Sequence, residues 1–395
     1  MVKVVKAPIS PDVLAWARRS ACVSIDEAAH AVSVKPERIL EWESGQDQPP
    51  LGKLRLLASK YKRPLAVLLL REPPTDFMPL RDFRRIDEAE KAMSPKVALE
   101  IRTAHERREL ALEMANELGD TPVNFTLTLF AGDDVETAGE KLRDYFSITP
   151  DQQKKWAKQN KVFENWRSRI EARGVLVFVM GGSHGPRVRD VRGFAIADKL
   201  FPVAAVNGKD RTNGRTFSLL HECVHLALGQ DVVENQIHSY RHLPAADRAV
   251  EKFCNAVAAA TLMPKDEVAE IANSLNKQKG SEWSDAELNL AADRLGVSRE
   301  AFLLRATSLG FGSIRFYASK RAQFQKEYEK LDEPSGDSFP IAPYKTMINR
   351  YGRTFARMVL NSYHDRRITM NDAAAFLNVQ AKHIDFIARQ TMQRV

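Results

Sequence analysis

A chain of 395 residues is too long for one compact core and calls for two to four domains. Hydrophobic residues at 44% and charged residues at 28%, with no apolar run near the roughly 20 residues of a membrane span, describe a soluble globular protein and not a membrane protein. Three cysteines (Cys22, Cys223, Cys254) exclude a disulfide scaffold, and residues 1–6 lack the apolar core of a signal peptide, so the cytoplasm is the expected location.

The net charge of +8 is uneven: residues 1–75 carry +4, residues 312–395 carry +6, and the middle carries −2. Basic ends around a neutral middle fit nucleic-acid contact at the termini, although a solvated surface accounts for charge of this size almost as well. The fold class expected is α+β, mainly α. It comprises an all-α domain over 1–72, a linker and long helices over 73–172, a core with a small sheet over 173–275, a helical extension over 276–331 and a helical domain over 332–395.

In the first domain, residues 11–20 form a helix with Val13, Leu14 and Ala17 on one face. Ser24 with Glu27 is a capping box that opens a helix over 25–31. Val32-Ser33-Val34 turns the chain, Lys35-Pro36-Glu37 opens a helix through Glu43, and Gly45 stops it. An amphipathic helix over 51–61 and an apolar cap over 64–70 complete a bundle. A short helix, tight turn and second short helix in such a bundle is the helix-turn-helix layout. The residues that carry it resemble the XRE (phage-repressor-like) family: Ser24-x-x-Glu27-Ala28-Ala29, Val34-x-Pro36-Glu37-Arg38-Ile39-x-x-Trp42-Glu43-x-Gly45, and Leu57-Ala58-x-x-Tyr61-x-Arg63-Pro64-Leu65. The resemblance implies operator DNA as a partner, with Lys35 and Arg38 as contacts, and a homodimer matched to paired half-sites. Two departures weigh on it. Ile25 stands where tight DNA readers usually have glutamine, and Glu37, Glu41 and Glu43 leave the second helix at −1. The same layout also serves dimerisation or partner docking.

Pro73-Pro74 breaks helical structure, and Leu80-Arg81-Asp82-Phe83-Arg84 reads as a docking segment. A long amphipathic helix covers 94–118, with its Glu106-Arg107-Arg108-Glu109 run as a solvated face and His105 as a structural histidine. Helices follow over 134–146 and 151–172, with Trp156 and Trp166 in the core. Apolar runs over 174–180, 191–197 and 201–207 are three strands.

Arg215-Thr216-Phe217-Ser218 leads into Leu219-Leu220-His221-Glu222-Cys223-Val224-His225-Leu226-Ala227-Leu228-Gly229. On a helix, His221 and His225 stand one turn apart on one face, where two neutral imidazoles can share one Zn²⁺ ion. Glu222 is rotated off that face, where a general base is wanted. A catalytic zinc takes three protein ligands, and Glu234, His238, His242, Asp247 and Glu251 are the candidates downstream. Glu234–His242 reads as a polar loop, whereas Glu251 lies on a helix over 245–262 rich in small residues and closed by Met263-Pro264.

Residues from about 173 to 265 resemble the ImmA/IrrE family of zinc metallopeptidases. The matching text is Arg192-Gly193-Phe194, Pro202-Val203-x-x-Val206-Asn207, Arg215-Thr216-Phe217-Ser218-Leu219-x-His221-Glu222-x-x-His225 and Glu251-x-x-x-Asn255-x-x-Ala258-Ala259-x-x-Leu262-Met263-Pro264. The resemblance implies a zincin-like endopeptidase with His221, His225 and Glu251 as zinc ligands and Glu222 as general base. Cys254 is a departure, since the family usually has alanine there. It shares the face of Glu251 and is expected as a buried, inert thiol close to the site, with a redox role as the lesser alternative.

Beyond the core, helices are expected over 284–295 and 299–309, then 320–330, a linker over 332–343, and helices over 344–361, 369–377 and 382–389. The last pair is a further helix-turn-helix-like unit. The domain order resembles fusions of an XRE regulator with an ImmA/IrrE peptidase. This implies a cytoplasmic transcriptional regulator with a zinc-dependent endopeptidase acting on or with a regulatory protein partner. The alternative is an antitoxin or scaffold of a toxin–antitoxin operon that binds its toxin and promoter DNA with an idle metal site.

Overall fold

A computed structural model describes residues 6–74, 93–181, 185–234, 244–331 and 343–392. The docking segment 80–84, the candidate ligands His238 and His242 and the linker residues 332–342 lie outside the described residues. The chain divides into two compact units, Met1–His105 with Ser183–Pro186, and Glu106–Gly182 with Arg187–Val395.

The first unit holds α1 (Pro11–Ser20), α2 (Ile25–Ala31), α3 (Pro36–Glu43), α4 (Leu51–Tyr61) and the start of α5 (Pro95–Leu118). Each boundary has a local cause. Ser24 and Glu27 close the capping box of α2, Pro36 takes the first turn of α3, and Lys62 leaves α4 in the left-handed conformation. Leu14, Ala17, Ala28, Ile39, Trp42, Leu54, Leu57 and Tyr61 fill the core. Arg18 clasps Glu43 through two bonds of 2.7 and 2.9 Å, so one of the three acids of α3 is spent inside the bundle.

The second unit opens with the rest of α5, then α6 (Val135–Phe146), α7 (Pro150–Lys158) and α8 (Val162–Glu171). The single helix expected over 151–172 is thus two. Asn160 takes the left-handed conformation and Lys161 N donates to Trp156 O at 2.9 Å, a lock that ends α7. The Glu106–Glu109 run is a solvated face only in part: Glu106 and Glu109 are exposed, whereas the two arginines between them are covered. Arg108 is buried and pairs with Asp198 at 2.6 Å, and Arg107 stacks over Tyr351 at 4.2 Å. Trp166 is fully buried, and Trp156 packs against the core partly exposed.

Among the described residues the sheet has four strands where three were expected, in the order β1-β3-β2-β4: β1 (Leu176–Met180), β2 (Gly193–Ile196), β3 (Val203–Asn207) and β4 (Val232–Glu234). Strand β1 runs parallel to β3, and β2 is antiparallel to both β3 and β4. The fourth is a three-residue strand at the start of what reads as a polar loop, too short to show a period-2 pattern. Strands β1 to β3 are buried throughout, which is why they read as continuous apolar runs.

Helix α9 (Thr212–Ala227) packs on β2 and β3, and α10 (Ala245–Leu262) packs on α9 and α6. Gly139 sets the crossing of α6 and α10, because a Cβ there would stand 3.0 Å from Ala260 Cβ and 3.0 Å from Thr261 N. The C-terminal carbonyls of α10, which a helix cannot satisfy itself, are met by buried side chains. Arg143 donates to Thr261 O at 2.6 Å, Gln153 to Leu262 O at 2.9 Å, and Arg305 to Met263 O at 3.0 Å. Burial pushes the Arg143 pKa down to about 10, which still leaves it cationic at neutral pH. Arg143→Met is expected to lose about 2–4 kcal/mol of stability by orphaning the carbonyls of Thr261 and Ile148. A urea midpoint unchanged at constant slope would refute that role.

The remaining helices are α11 (Lys265–Ser274), α12 (Asp285–Leu295), α13 (Arg299–Ser308), α14 (Ile314–Leu331), α15 (Pro343–Tyr351), α16 (Arg353–His364), α17 (Met370–Phe376) and α18 (Ile384–Met392). The helix expected over 344–361 is broken at Gly352, with φ +79, where a Cβ would stand 2.2 Å from Glu171 Oε1. Glu171 accepts from Arg353 N at 3.3 Å and so starts α16.

Candidate metal centre

Helix α9 is buried from Ser218 to Ala227, and the sheet beneath it excludes water from one whole side. The spacing of His221 and His225 then has its expected consequence: both rings lie on one face, with their Nε2 atoms 3.0 Å apart. The packing of α10 on α9 brings Glu251 to them. Its Oε2 stands 3.3 Å from His221 Nε2 and its Oε1 3.4 Å from His225 Nε2. Among the described residues this is the group that can hold a metal ion.

The donor chemistry and spacing fit zinc. Ligands at about 2.0–2.1 Å in a tetrahedron have edges of about 3.3–3.4 Å, close to the 3.0, 3.3 and 3.4 Å separations here. Two imidazoles and one carboxylate also suit zinc better than a hard cation such as calcium, which takes six to eight oxygens. Burial works against an ionised Glu251, but the two ring nitrogens at bonding range outweigh it and hold the carboxyl well below the usual carboxylate range. Glu251 is thus held in the anionic form that a metal ligand needs.

Glu222 is fully buried, and its carboxylate lies over the backbone of β2. A Cβ at Gly193 would stand 2.3 Å from Glu222 Oε1 and 2.8 Å from Ala205 O, so only glycine leaves room for this carboxylate. Asn207 holds that part of β2 in place. Its Nδ2 donates to Val191 O at 2.9 Å, and its backbone N donates to Arg192 O at 2.7 Å. Gly193 and Asn207 belong to the family-like text, but nothing in their spacing revealed these tasks.

Cys254 does not join the donor group. Its sulfur lies 3.6 Å from His225 Nδ1, on the outer side of that imidazole. Both it and Cys223 are buried, and burial raises the Cys223 thiol above its ordinary range. Asp247 is one turn before Glu251 and outside the donor group, as is His105. Glu234 closes β4, with its backbone in register with Gly193. Of the two expected DNA contacts, Lys35 is exposed at the N-cap of α3, whereas Arg38 is paired with Glu41 and Asp47.

Residues 170–307, from the end of α8 to the end of α13, match the family model described as the IrrE N-terminal-like domain, Peptidase_M78. This stretch therefore carries a metallopeptidase-like domain, and the His221, His225 and Glu251 group lies inside it. No curated protein matches the chain significantly.

Proposed function

We propose that the protein is a zinc-dependent endopeptidase joined to a regulatory module, and that it cleaves a protein partner in an extended segment. The observation that carries this reading is the buried His221, His225 and Glu251 triangle, with Glu222 seated beside it on Gly193. Zinc, when bound, supplies Lewis acidity toward a peptide carbonyl and toward water. His221, His225 and Glu251 would hold it, since their Nε2 and carboxylate oxygen atoms converge. Glu222 takes a proton from the attacking water and returns it to the departing amine nitrogen. Its seat against the backbone of β2 holds the carboxylate in place for that transfer. The extended substrate is taken to pair along β4, the outer strand of the sheet beside β2.

Residues 1–72 are the targeting module in this reading, an XRE-like helix-turn-helix that brings the peptidase to operator DNA or to a partner through Lys35 and its neighbours. The protein acts in the cytoplasm; no helix among the described residues is long and apolar enough to cross a membrane. The rival reading, an antitoxin-like scaffold with an idle metal site, predicts that partner binding is indifferent to Glu222. The test is incubation of the zinc-loaded protein with a co-encoded regulatory or toxin protein, with fragments mapped by mass spectrometry. Defined fragments from the parent and none from Glu222→Gln support the peptidase. Intact partner in both, with the complex formed equally, supports the scaffold.

A further inference from the structure

The unit made by α2 and α3 recurs 345 residues later in the same chain. Ser24 and Thr369 cap their helices, each closed into a capping box three residues on by Glu27 and Asp372. Ala28 and Ala29 are buried, as are Ala373 and Ala374, and Val32 corresponds to the buried Leu377. Ser33 and Asn378 both turn through the left-handed conformation, with φ of 52 and 49. The hydrogen bonds repeat as well. Val34 N donates to Ala29 O at 3.0 Å and Val379 N to Ala374 O at 2.9 Å; Arg38 N donates to Lys35 O at 3.0 Å and His383 N to Gln380 O at 2.9 Å. Ile39 and Ile384, both fully buried, then anchor the second helix of each copy. These are two instances of one helix-turn-helix.

They differ in what the second helix offers to solvent. In the first copy the stripe is Glu37, Leu40, Glu41 and Ser44; at the same steps the second copy has Lys382, Asp385, Phe386 and Arg389, all exposed. A groove beside this stripe exists in both. In the first it is lined by Glu37, Glu41 and Glu43 against Arg19. In the second it is lined by His364, Arg366 and Arg389 against Asp385. Residues 343–392 hold 8 Lys+Arg against 3 Asp+Glu. The turn alone decides nothing, because α12 and α13 share it: Val297 N donates to Ala292 O at 3.0 Å, yet the turn residue Gly296 is packed so closely that a Cβ would stand 2.5 Å from Val162. There the motif serves the core.

We propose that the C-terminal copy binds duplex DNA. Lys382, in the 3-10 turn Ala381–His383 that leads into α18, and Arg389 on α18 meet the major groove and its phosphates, with Arg366 and Arg367 contacting the backbone alongside. Phe386, 45% exposed between the two cations, meets apolar base edges such as the thymine methyl. This contact is independent of the metal centre and additional to the targeting role given to residues 1–72.

The test is binding of the full chain to a labelled mixed-sequence duplex of about 30 base pairs, followed by fluorescence anisotropy across a salt titration. The Lys382→Ala/Arg389→Ala variant is expected to bind at least about tenfold more weakly and to lower the salt slope by about 2, without a change in thermal melting. Asp385→Lys is expected to tighten binding. A Lys382→Ala/Arg389→Ala variant that binds as the parent does overturns the proposal. So does an equal loss on single-stranded DNA of the same length, which would make the patch a general polyanion site. A Lys35→Ala/Arg38→Ala variant run in parallel reads the N-terminal module separately. Loss in that variant alone assigns the DNA contact to residues 1–72 and overturns the C-terminal assignment.

Discussion

Glu222→Gln is expected to lower peptide-bond hydrolysis by about 10²–10⁴-fold, the usual worth of a positioned general base. The amide matches the carboxylate in shape, so the seat over Gly193 and the packing of α9 should survive, but it cannot accept the proton of water at neutral pH. The three proposed metal donors are untouched, so metal content should stay at the level of the parent. That pairing of outcomes separates a proton-transfer role from a structural one. Parent-like cleavage by the variant would remove Glu222 from the chemistry, and loss of metal along with activity would make it a structural support of the site.

Gly193→Ala should be nearly as damaging, although residue 193 is neither ligand nor base. The added Cβ would fall 2.3 Å from Glu222 Oε1 and 2.8 Å from Ala205 O. Ala205 is fixed by its pairing with Phe194 across β2 and β3, so the backbone oxygen cannot yield freely. The carboxylate must be displaced, and a shift of about 1 Å in a catalytic group costs on the order of 10²-fold in rate. Overpacking of this kind also removes about 1–3 kcal/mol of stability. Steady-state cleavage at saturating zinc, with metal content measured on the same sample, checks it. Unchanged turnover would mean that Glu222 does not depend on the close approach to β2.

The sequence revealed what is local. His221, Glu222 and His225 are readable because four residues make about one helical turn, and Ser24 with Glu27 because a capping box spans three residues. Glu251 was only one of five candidates from the residues themselves. Its approach to His221 and His225 comes from the packing of α10 on α9, and no periodicity records that contact. The same cause explains the break at Gly352, which exists because Glu171 occupies the space a side chain would need. Arg107 and Arg108 read as solvated charge and are instead packing and pairing groups, since an amphipathic pattern cannot tell a wet face from one covered by distant strands and helices. The repeat of α2–α3 in α17–α18 was half visible: the turn could be read, but the shared register emerged only from the left-handed residues and hydrogen bonds.

The central claim is that His221, His225 and Glu251 hold one catalytic zinc. Elemental analysis of the purified chain, beside His221→Ala and Glu251→Ala, addresses it most directly. The parent is expected to retain about one zinc per chain after dialysis and to melt at a lower temperature once a chelator removes it, because a ligand bound only to the native state stabilises that state. Both variants are expected to lose the metal and the chelator response together. Zinc-free parent protein that binds none on titration, or variants that keep the metal as the parent does, would contradict the account.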